Sequence, residues 1–363
     1  MTLELKHVTK KVQSETHIHD VSLAFARGTL NVLLGPTLSG KTSLMRLMAG
    51  LDAPTEGKVC FDGKDVTGVP VRKRSVAMVY QQFINYPNLS VYENIASPLR
   101  VAHVAKAELD RRVRETAALM KLTPLLERKP LELSGGQQQR TALARAMVKG
   151  ADLVLLDEPL ANLDYKLREE LREELPRIFS ATGAIFVYAT TEPVEALLLG
   201  GSTATLAQGR VTQFGPTVEV YRRPNSLETA RIFSDPPLNT ISVDKAGGEL
   251  RSAGDLLRLP AASFLAGLRD GAYRIGIRPD HLFLLRPGPD ALAQTGIVAM
   301  TEITGSESFV HIEFAGERWV ALAHGVHRLG IGQPVEFYLD PSRFFIFDAA
   351  GALAAAPGLK RAA

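Results

Sequence analysis

One short stretch of the sequence has the residue types and the spacing of a phosphate-binding loop. It has the form G-x-x-x-x-G-K-[ST] and reads Gly35-Pro36-Thr37-Leu38-Ser39-Gly40-Lys41-Thr42, with Ser43 directly after it. Glycines let backbone N–H groups approach phosphate oxygens, and a helix that starts at the loop points its positive dipole end at them. In this pattern Lys41 reaches the β- and γ-phosphates, and the Thr42 hydroxyl is a ligand for Mg²⁺. The stretch therefore predicts a site for ATP or GTP.

Two further stretches have residues suited to phosphate or metal chemistry. Asp157 and Glu158 follow residues 151–156, a stretch that is apolar except for Asp152 and indicates a buried parallel strand. Ligands of open α/β sheets bind at the carboxyl ends of such strands. The alternative is that the two carboxylates cap a helix. The other stretch, Leu133-Ser134-Gly135-Gly136-Gln137, precedes a helix that the pattern predicts over residues 138–149. Ser134 is a good helix N-cap, and the glycines leave N–H groups free for an anion.

The elements that must position these residues follow from the flanking patterns. The apolar run 31–34 predicts a strand into the loop, and residues 43–49 predict a helix that Gly50 ends. An ordinary strand–turn–helix is the alternative interpretation of this stretch. Alternation over residues 3–25 predicts antiparallel strands. Residues 90–122 are helical and charged in pattern, with one apolar stripe made of Leu109, Val113 and Ala117.

The character of the sequence changes near residue 234. Beyond it, short alternating strands are predicted at 273–277, 309–314 and 334–339, and residues 349–363 form an Ala/Gly-rich tail that we expect to fray. We therefore expect an α/β P-loop nucleotide-binding domain over residues 1–234, with an antiparallel β-subdomain and a helical insert at about 83–140. A small β-barrel-like domain over residues 235–363 is expected to follow.

Length and composition limit the possible functions. The chain has 363 residues, enough for two domains, and its net charge of +3 is too balanced to indicate nucleic acid as the main partner. The single cysteine, Cys60, excludes a disulfide framework and fits a reducing compartment. No signal peptide is recognisable, and no apolar run approaches the ~18 residues of a membrane span. We expect a soluble cytoplasmic chain that reaches a membrane through a partner.

The order of these motifs resembles that of the ABC-transporter ATPase family. The match includes Gln81 after a strand and Ala161-Asn162-Leu163-Asp164 after the carboxylates. The stretch Gly276-Ile277-Arg278-Pro279-Asp280-His281 resembles the start of the appended β-domain in the family's carbohydrate-importer branch (maltose, sn-glycerol-3-phosphate and glycerol). Within that branch, residues 78–87 and 188–193 are most similar to one of the two ATPase subunits of bacterial glycerol importers.

The resemblance implies a role for each site residue. Thr42, Gln81 and Asp157 would hold Mg²⁺, Glu158 would be the general base for the attacking water, and Gln81 would sense the γ-phosphate. The signature residues would close over ATP held by the opposite subunit, and Asp164 would communicate across the dimer. The signature residues are Ser134, Gly135, Gly136 and Gln137.

Three positions depart from the family pattern. Thr191 stands where the family has a histidine that contacts the γ-phosphate. Val12 stands where the family has an aromatic ring that stacks on adenine, and Leu38 stands where it has a glycine in the loop. His17 could take the place of the aromatic ring, with a solvated strand histidine as the alternative. Because the residues that serve the chain's own site are altered and the signature is intact, the sequence favours the degenerate half of a heterodimeric ATPase.

The implied function is ATP binding and hydrolysis that energises import of a small polyol or carbohydrate, with glycerol as the best guess. The implied partners are membrane permeases, contacted through residues 82–98, a second ATPase subunit, and indirectly a periplasmic solute-binding protein. The chain would be peripheral on the cytoplasmic face of the inner membrane. One alternative is a non-transport ABC ATPase of DNA repair or ribosomes, although its usual coiled coils, zinc modules and second cassette are not visible. Another is a regulatory nucleotide-binding subunit without useful hydrolysis. The β-rich domain, OB- or TOBE-like, would serve regulation or dimerisation.

Overall fold

The structure is a computed structural model, and it describes residues 2–82, 84–161, 166, 168, 169, 172, 175, 176, 179, 182–260 and 267–358. The chain forms two compact units, Met1–Thr217 and Val218–Ala363. The sequence-based boundary at residue 234 lies later in the chain. The difference arises because residues 225–227 hydrogen-bond to the strand region near Gly351 and Leu353, inside the second unit.

A six-stranded sheet forms the centre of the first unit, in the order β10-β9-β3-β8-β7-β6. Strands β3, β6, β7, β8 and β9 run parallel, and β10 pairs antiparallel with β9. Every residue of β7 and β8 is buried, as expected for strands covered on both faces. The strands are β3 (Leu30–Leu34), β6 (Val76–Val79), β7 (Leu153–Asp157), β8 (Ile185–Thr190), β9 (Ser202–Ala207) and β10 (Arg210–Pro216).

A second, antiparallel sheet has the order β2-β1-β4-β5. Its strands are β1 (Thr2–Val12), β2 (Glu15–Ala26), β4 (Glu56–Phe61) and β5 (Lys64–Asp65). Alternate residues such as Leu3, Leu5 and Leu23 enter a core that also contains residues of the central sheet. The prediction of antiparallel strands over residues 3–25 is therefore confirmed.

Helix α1 (Lys41–Ala49) leaves the phosphate loop and ends at Gly50, whose φ of 76° is the left-handed conformation that glycine adopts readily. The insert contains α2 (Val91–Val101), α3 (Lys106–Leu119) and α4 (Gly135–Met147). The predicted apolar stripe on α3 is buried. The predicted start of α4 at residue 138 is wrong, since the helix begins at Gly135.

A capping box explains the early start of α4. The Ser134 hydroxyl accepts from the Gln137 backbone N–H at 3.4 Å, and the Gln137 side chain accepts from the Ser134 N–H at 3.0 Å.

The described residues between 166 and 182 are helical, whereas Asp164 lies outside the described part of the chain. The helix Pro193–Leu199 follows β8.

Two antiparallel sheets that share one core build most of the second unit. The predicted strands at 273–277, 309–314 and 334–339 lie within Gly271–Ile277, Glu307–Phe314 and Pro334–Leu339. The expectation of a wholly frayed tail is wrong, because Leu353–Ala355 forms a strand beside Phe345–Asp348. Among the residues that the structure describes, no helix is long and apolar enough to cross a membrane.

Candidate functional site

The phosphate loop lies between the end of β3 and the start of α1. Gly35 is required by close packing, because a Cβ there would overlap the Leu206 backbone oxygen and the Ser39 side chain. Gly40 has a φ of 103°, which disfavours any other residue. Leu38 stands almost fully exposed with a φ of 66°, where a glycine would be unstrained. The Ser39 hydroxyl is buried, with no hydrogen-bond partner among the described residues.

Lys41 is buried inside the loop. Its ammonium donates to the backbone oxygens of Gly35 at 2.8 Å and Pro36 at 3.1 Å, and lies 3.5 Å from Glu158 Oε1. Burial lowers the pKa of Lys41 below its ordinary value, and the charge of Glu158 opposes that shift. An anion bound in the loop would therefore stabilise the charged form of the buried Lys41 ammonium.

Oxygen-bearing side chains meet next to Lys41. The Thr42 hydroxyl donates to Asp157 Oδ2 at 2.8 Å, and Gln81 Nε2 donates to Glu158 Oε2 at 3.0 Å. Burial raises the pKa of Asp157 above its ordinary value, and the hydrogen bond from Thr42 opposes this rise. The hydroxyl, carboxylate and amide oxygens are hard donors that suit Mg²⁺, and a cation would stabilise the buried charge of Asp157. The donor set therefore fits the metal that the sequence predicts.

An open cavity of about 630 Å³ lies over the loop. Of the predicted loop residues, Thr37 to Ser43 line it, together with Gln81 and Glu158, whereas Gly35 and Pro36 do not. The lining also includes residues that the sequence interpretation did not assign to the site. Its described lining residues are Glu15, Thr16, His17, His19, Thr37, Leu38, Ser39, Gly40, Lys41, Thr42, Ser43, Gln81, Glu158, Gln208 and Gly209. Val12 does not line this cavity. The signature residues at the start of α4 do not line it either.

Thr191 is exposed in the turn after β8 and is not among the described residues that line the cavity. Its neighbour Thr190 lies against the loop, since the Gly35 N–H donates to the Thr190 backbone oxygen at 3.3 Å. The Thr190 hydroxyl donates to the buried carboxylate of Glu195 at 2.7 Å. The turn that carries Thr191 is thus tied to the start of the loop on one side and to a buried carboxylate on the other.

Two groups near the site were missed by sequence reasoning. The first is the Gln208–Gly209 turn, whose φ values of 47° and 74° fit a two-residue hairpin of type I′. A glycine between two alternating strands was the available signal. The second is the network of Glu195 and Arg172, for which the spacing of residues along the chain gives no signal.

Comparison with known proteins identifies families for both parts of the chain. The ABC transporter family matches residues 18–161, and the TOBE domain matches residues 275–347. The chain is 36% identical to the sn-glycerol-3-phosphate import ATP-binding protein UgpC of Paracoccus denitrificans, over 95% of this chain and 96% of that protein. It is 36% identical to the trehalose/maltose import ATP-binding protein MalK of Thermococcus litoralis, over 95% and 97%.

A third relative is the alpha-glucoside transport ATP-binding protein AglK of Rhizobium meliloti, 34% identical over 96% of this chain and 98% of that protein. Among solved structures, the chain is similar to the ATP-binding cassette MJ0796, a dimer in a post-hydrolysis state bound to ADP and Pi. That similarity has a TM-score of 0.54 and 30% identity, and it covers 59% of this chain and 98% of the cassette.

Proposed function

The chain belongs to the ABC transporter family as an ATP-binding subunit of the carbohydrate-importer branch, and from this premise we propose that it energises import of a small polyol or carbohydrate, with glycerol as the best candidate. As a member of this family it is a transport ATPase. The observation that carries the proposal is a set of side-chain contacts beside one cavity. Thr42 contacts Asp157, and both Lys41 and Gln81 contact Glu158.

We propose the following roles at the site from the family resemblance, and these contacts support them. Lys41 and the loop N–H groups would bind the triphosphate, and Thr42, Gln81 and Asp157 would hold Mg²⁺. When bound, Mg²⁺ supplies positive charge beside the phosphate oxygens. Glu158 would serve as the general base for the attacking water, and Gln81 Nε2 orients its carboxylate by donating to Oε2 at 3.0 Å.

Thr191 suggests that this chain hydrolyses its own ATP slowly. A threonine hydroxyl donates one hydrogen bond but holds no positive charge near the transition state, and loss of one such donor typically costs ~10²–10³ in rate. The capped start of α4, with Ser134, Gly135 and Gly136, keeps the residues that would complete a site on a partner ATPase. We therefore favour a heterodimer in which the partner's site is the faster one.

A groove of about 360 Å³ in the first unit is the proposed contact for the permeases. It is lined by residues of β6, α2 and α4, and by Ile84 and Tyr86, both at least half exposed. The Arg145 guanidinium lies 5.0 Å from the Tyr86 ring and holds that segment in place. The groove includes part of the predicted contact segment 82–98, of which Phe83 lies outside the described residues.

The relatives' names concern sn-glycerol-3-phosphate, trehalose/maltose and alpha-glucosides. These solutes share hydroxyl-rich chemistry, which supports a polyol or carbohydrate for this chain, carried through permeases and delivered by a periplasmic solute-binding protein. Uptake of labelled glycerol, glycerol 3-phosphate and maltose by cells with and without the chain tests this point. Loss of maltose uptake alone would contradict the preference for glycerol.

The second candidate, a regulatory subunit without useful hydrolysis, is favoured by Thr191 and opposed by Glu158. ATPase rates of the purified chain, of its Thr191→His variant and of Thr191→Ser separate the two candidates. We expect Thr191→His to raise the rate about 10- to 100-fold, because the family pattern has at this position a histidine that contacts the γ-phosphate, and Thr191→Ser to leave it unchanged. A wild-type rate already equal to that of Thr191→His would contradict the proposed slow site. No gain in Thr191→His, alone or mixed with a partner ATPase, would favour the regulatory subunit.

A further inference from the structure

A second cavity, of about 180 Å³, lies in the first unit at the edge of the central sheet opposite the phosphate loop. Val76 and Leu153 line it at the starts of β6 and β7, whereas the phosphate loop follows the carboxyl end of β3. The last turn of α1 contributes Met48. None of the described lining residues of this cavity also lines the phosphate-loop cavity. The proposed nucleotide site therefore does not account for it.

The floor of this second cavity is apolar. It is built from four side chains that are each no more than 4% exposed, Leu3, Met48, Val76 and Leu153. The half-buried side chains of Phe61 and Val66 pack against the same core and form walls of the cavity. An apolar cavity of about 150 Å³ is large enough to bind benzene. This cavity therefore has room for one ring or for a branched chain of similar size.

Two cations line the cavity above this floor. The Arg74 guanidinium is half-buried and donates from Nε to the Val69 oxygen at 2.9 Å and from Nη1 to the Met48 oxygen at 3.1 Å. Its Nη2 donates to the Val66 oxygen. A guanidinium has more N–H groups than these three contacts use. Lys73 is exposed, and neither cation forms an ion pair with a carboxylate that the structure describes.

The positive charge of Arg74 is fixed in position and is not neutralised by the cavity wall. The one carboxylate among the described lining residues, Asp152, pairs with Arg27 instead. Burial lowers the pKa of Arg74 below its ordinary value, as expected for a cation without a nearby carboxylate. A Cβ at Gly50 would overlap the guanidinium carbon, so the group is wedged under the end of α1. An entering carboxylate would meet a partly desolvated donor, which favours a charge-assisted hydrogen bond.

We propose that this second cavity is a ligand site for a monocarboxylate with an apolar body about the size of a benzene ring. The apolar body lies on the floor, and the carboxylate lies beside Arg74 and Lys73. A ligand without the charge leaves Arg74 unpaired, and a ligand without the apolar body leaves the floor uncovered. Each part of the ligand therefore contributes to affinity, and each can be removed separately.

Titration of the full chain with 4-fluorophenylacetate, followed by fluorine NMR of the ligand, tests the proposal. For a ligand of this size we expect a Kd of ~0.1–1 mM. The neutral 2-(4-fluorophenyl)ethanol has nearly the same apolar body and is expected to bind about tenfold more weakly, because it lacks the charge-assisted hydrogen bond. Fluoroacetate has the charge without the ring and is expected to show no binding in the same range.

Two substitutions with matched controls locate the ligand. Val66→Phe fills the cavity and is expected to weaken binding of the acid at least about tenfold. Its control is Val71→Phe, because Val71 is 37% exposed and lies outside the lining. Lys73→Gln removes an exposed cation and is expected to weaken binding about three- to fivefold. Its control is Arg72→Gln, an exposed neighbour outside the lining, for which we expect a change below about 1.5-fold.

Thermal midpoints close to that of the wild type establish that the variants are folded, and Lys73→Gln provides the test if Val66→Phe is not. No saturable binding of the acid by the wild type up to ~10 mM would overturn the proposal. Equal affinity for the acid and the alcohol would overturn the role of the cations. Unchanged binding in folded Val66→Phe would place the ligand outside this cavity. Displacement of the acid by AMP-PNP with Mg²⁺ would place it at the phosphate loop and would also overturn the proposal.

Discussion

Arg172 holds a buried carboxylate beside the turn that carries Thr191, and its replacement by methionine is expected to destabilise the first unit. The side chains of Arg172 and Glu195 are 10% and 5% exposed, and Arg172 Nη2 lies 3.2 Å from Glu195 Oε1. The other carboxylate oxygen accepts from the hydroxyls of Tyr188 at 2.9 Å and Thr190 at 2.7 Å. Burial, together with the charge of Glu195, holds the pKa of Tyr188 well above its ordinary value, so this hydroxyl remains a donor.

The expected cost follows from what Arg172→Met leaves behind. A buried carboxylate that loses its cation typically costs 3–5 kcal/mol, even though two neutral donors remain. The other ion pairs of Arg172, with Glu169 and Glu192, involve carboxylates that are about two-fifths exposed and add little. We therefore expect a loss of about 3–4 kcal/mol in the free energy of unfolding. For a unit of this size that corresponds to a thermal midpoint roughly 6–16 °C lower.

Urea unfolding of the nucleotide-free chain measures the loss, and a second substitution tests its cause. Adding Glu195→Gln to Arg172→Met removes the unpaired charge and is expected to restore more than half of the lost stability. Arg114→Met is the matched control, since that arginine is 62% exposed and pairs with Asp110 on the surface of α3. It is expected to cost less than about 1 kcal/mol. A double variant as unstable as Arg172→Met alone would refute the assignment of the cost to a buried charge.

Two further changes separate stability from binding. A carboxyl whose pKa is raised on folding stabilises the folded state at low pH, and this contribution is lost as the pH rises through the folded-state pKa. Asp157→Asn removes the buried charge and keeps an acceptor for Thr42. It is therefore expected to raise the unfolding free energy at pH 8 by ~1 kcal/mol. In urea titrations this gain in unfolding free energy should shrink as the pH is lowered from 8, and the thermal shift caused by Mg²⁺ and AMP-PNP should be lost. A gain of the same size at pH 8 and at the lower pH would contradict this explanation. Gly209→Ala would overlap the His17 backbone oxygen, whereas Gly63→Ala has the same φ of 74° and nothing within 4 Å. In urea unfolding we expect the first to cost about 2 kcal/mol more than the second, and equal costs would exclude the overlap.

The parts of the site that lie close together in the sequence could be predicted. The loop, its flanking strand and helix, and the carboxylates after β7 each form a local pattern with its own chemistry. The start of α4 could not be placed, because two glycines are poor helix formers and suggested a later start. The reciprocal hydrogen bonds of Ser134 and Gln137 outweigh that propensity.

The cavity wall and the buried network could not be predicted for a different physical reason. They depend on contacts between residues far apart in the chain, such as Gly209 with Ser39 and Arg172 with Glu195. Hydrophobic alternation placed His17 on a strand but did not indicate what faced it. In the structure β2 packs on Gly40 through Ile18 and the His17 backbone oxygen, and His17 lines the cavity over the loop.

The buried network also bears on what a change at position 191 measures. On one side, the Thr190 hydroxyl donates to Glu195 and accepts from the Glu192 N–H at 3.0 Å. On the other side, Glu192 is held by Arg168 at 2.9 Å and by Arg172 at 2.8 Å. Thr191 lies between two anchored residues with its own side chain exposed, so a larger side chain fits there without repacking a core. A rate gained by Thr191→His would therefore report the chemistry of the imidazole and not a rearrangement of the turn.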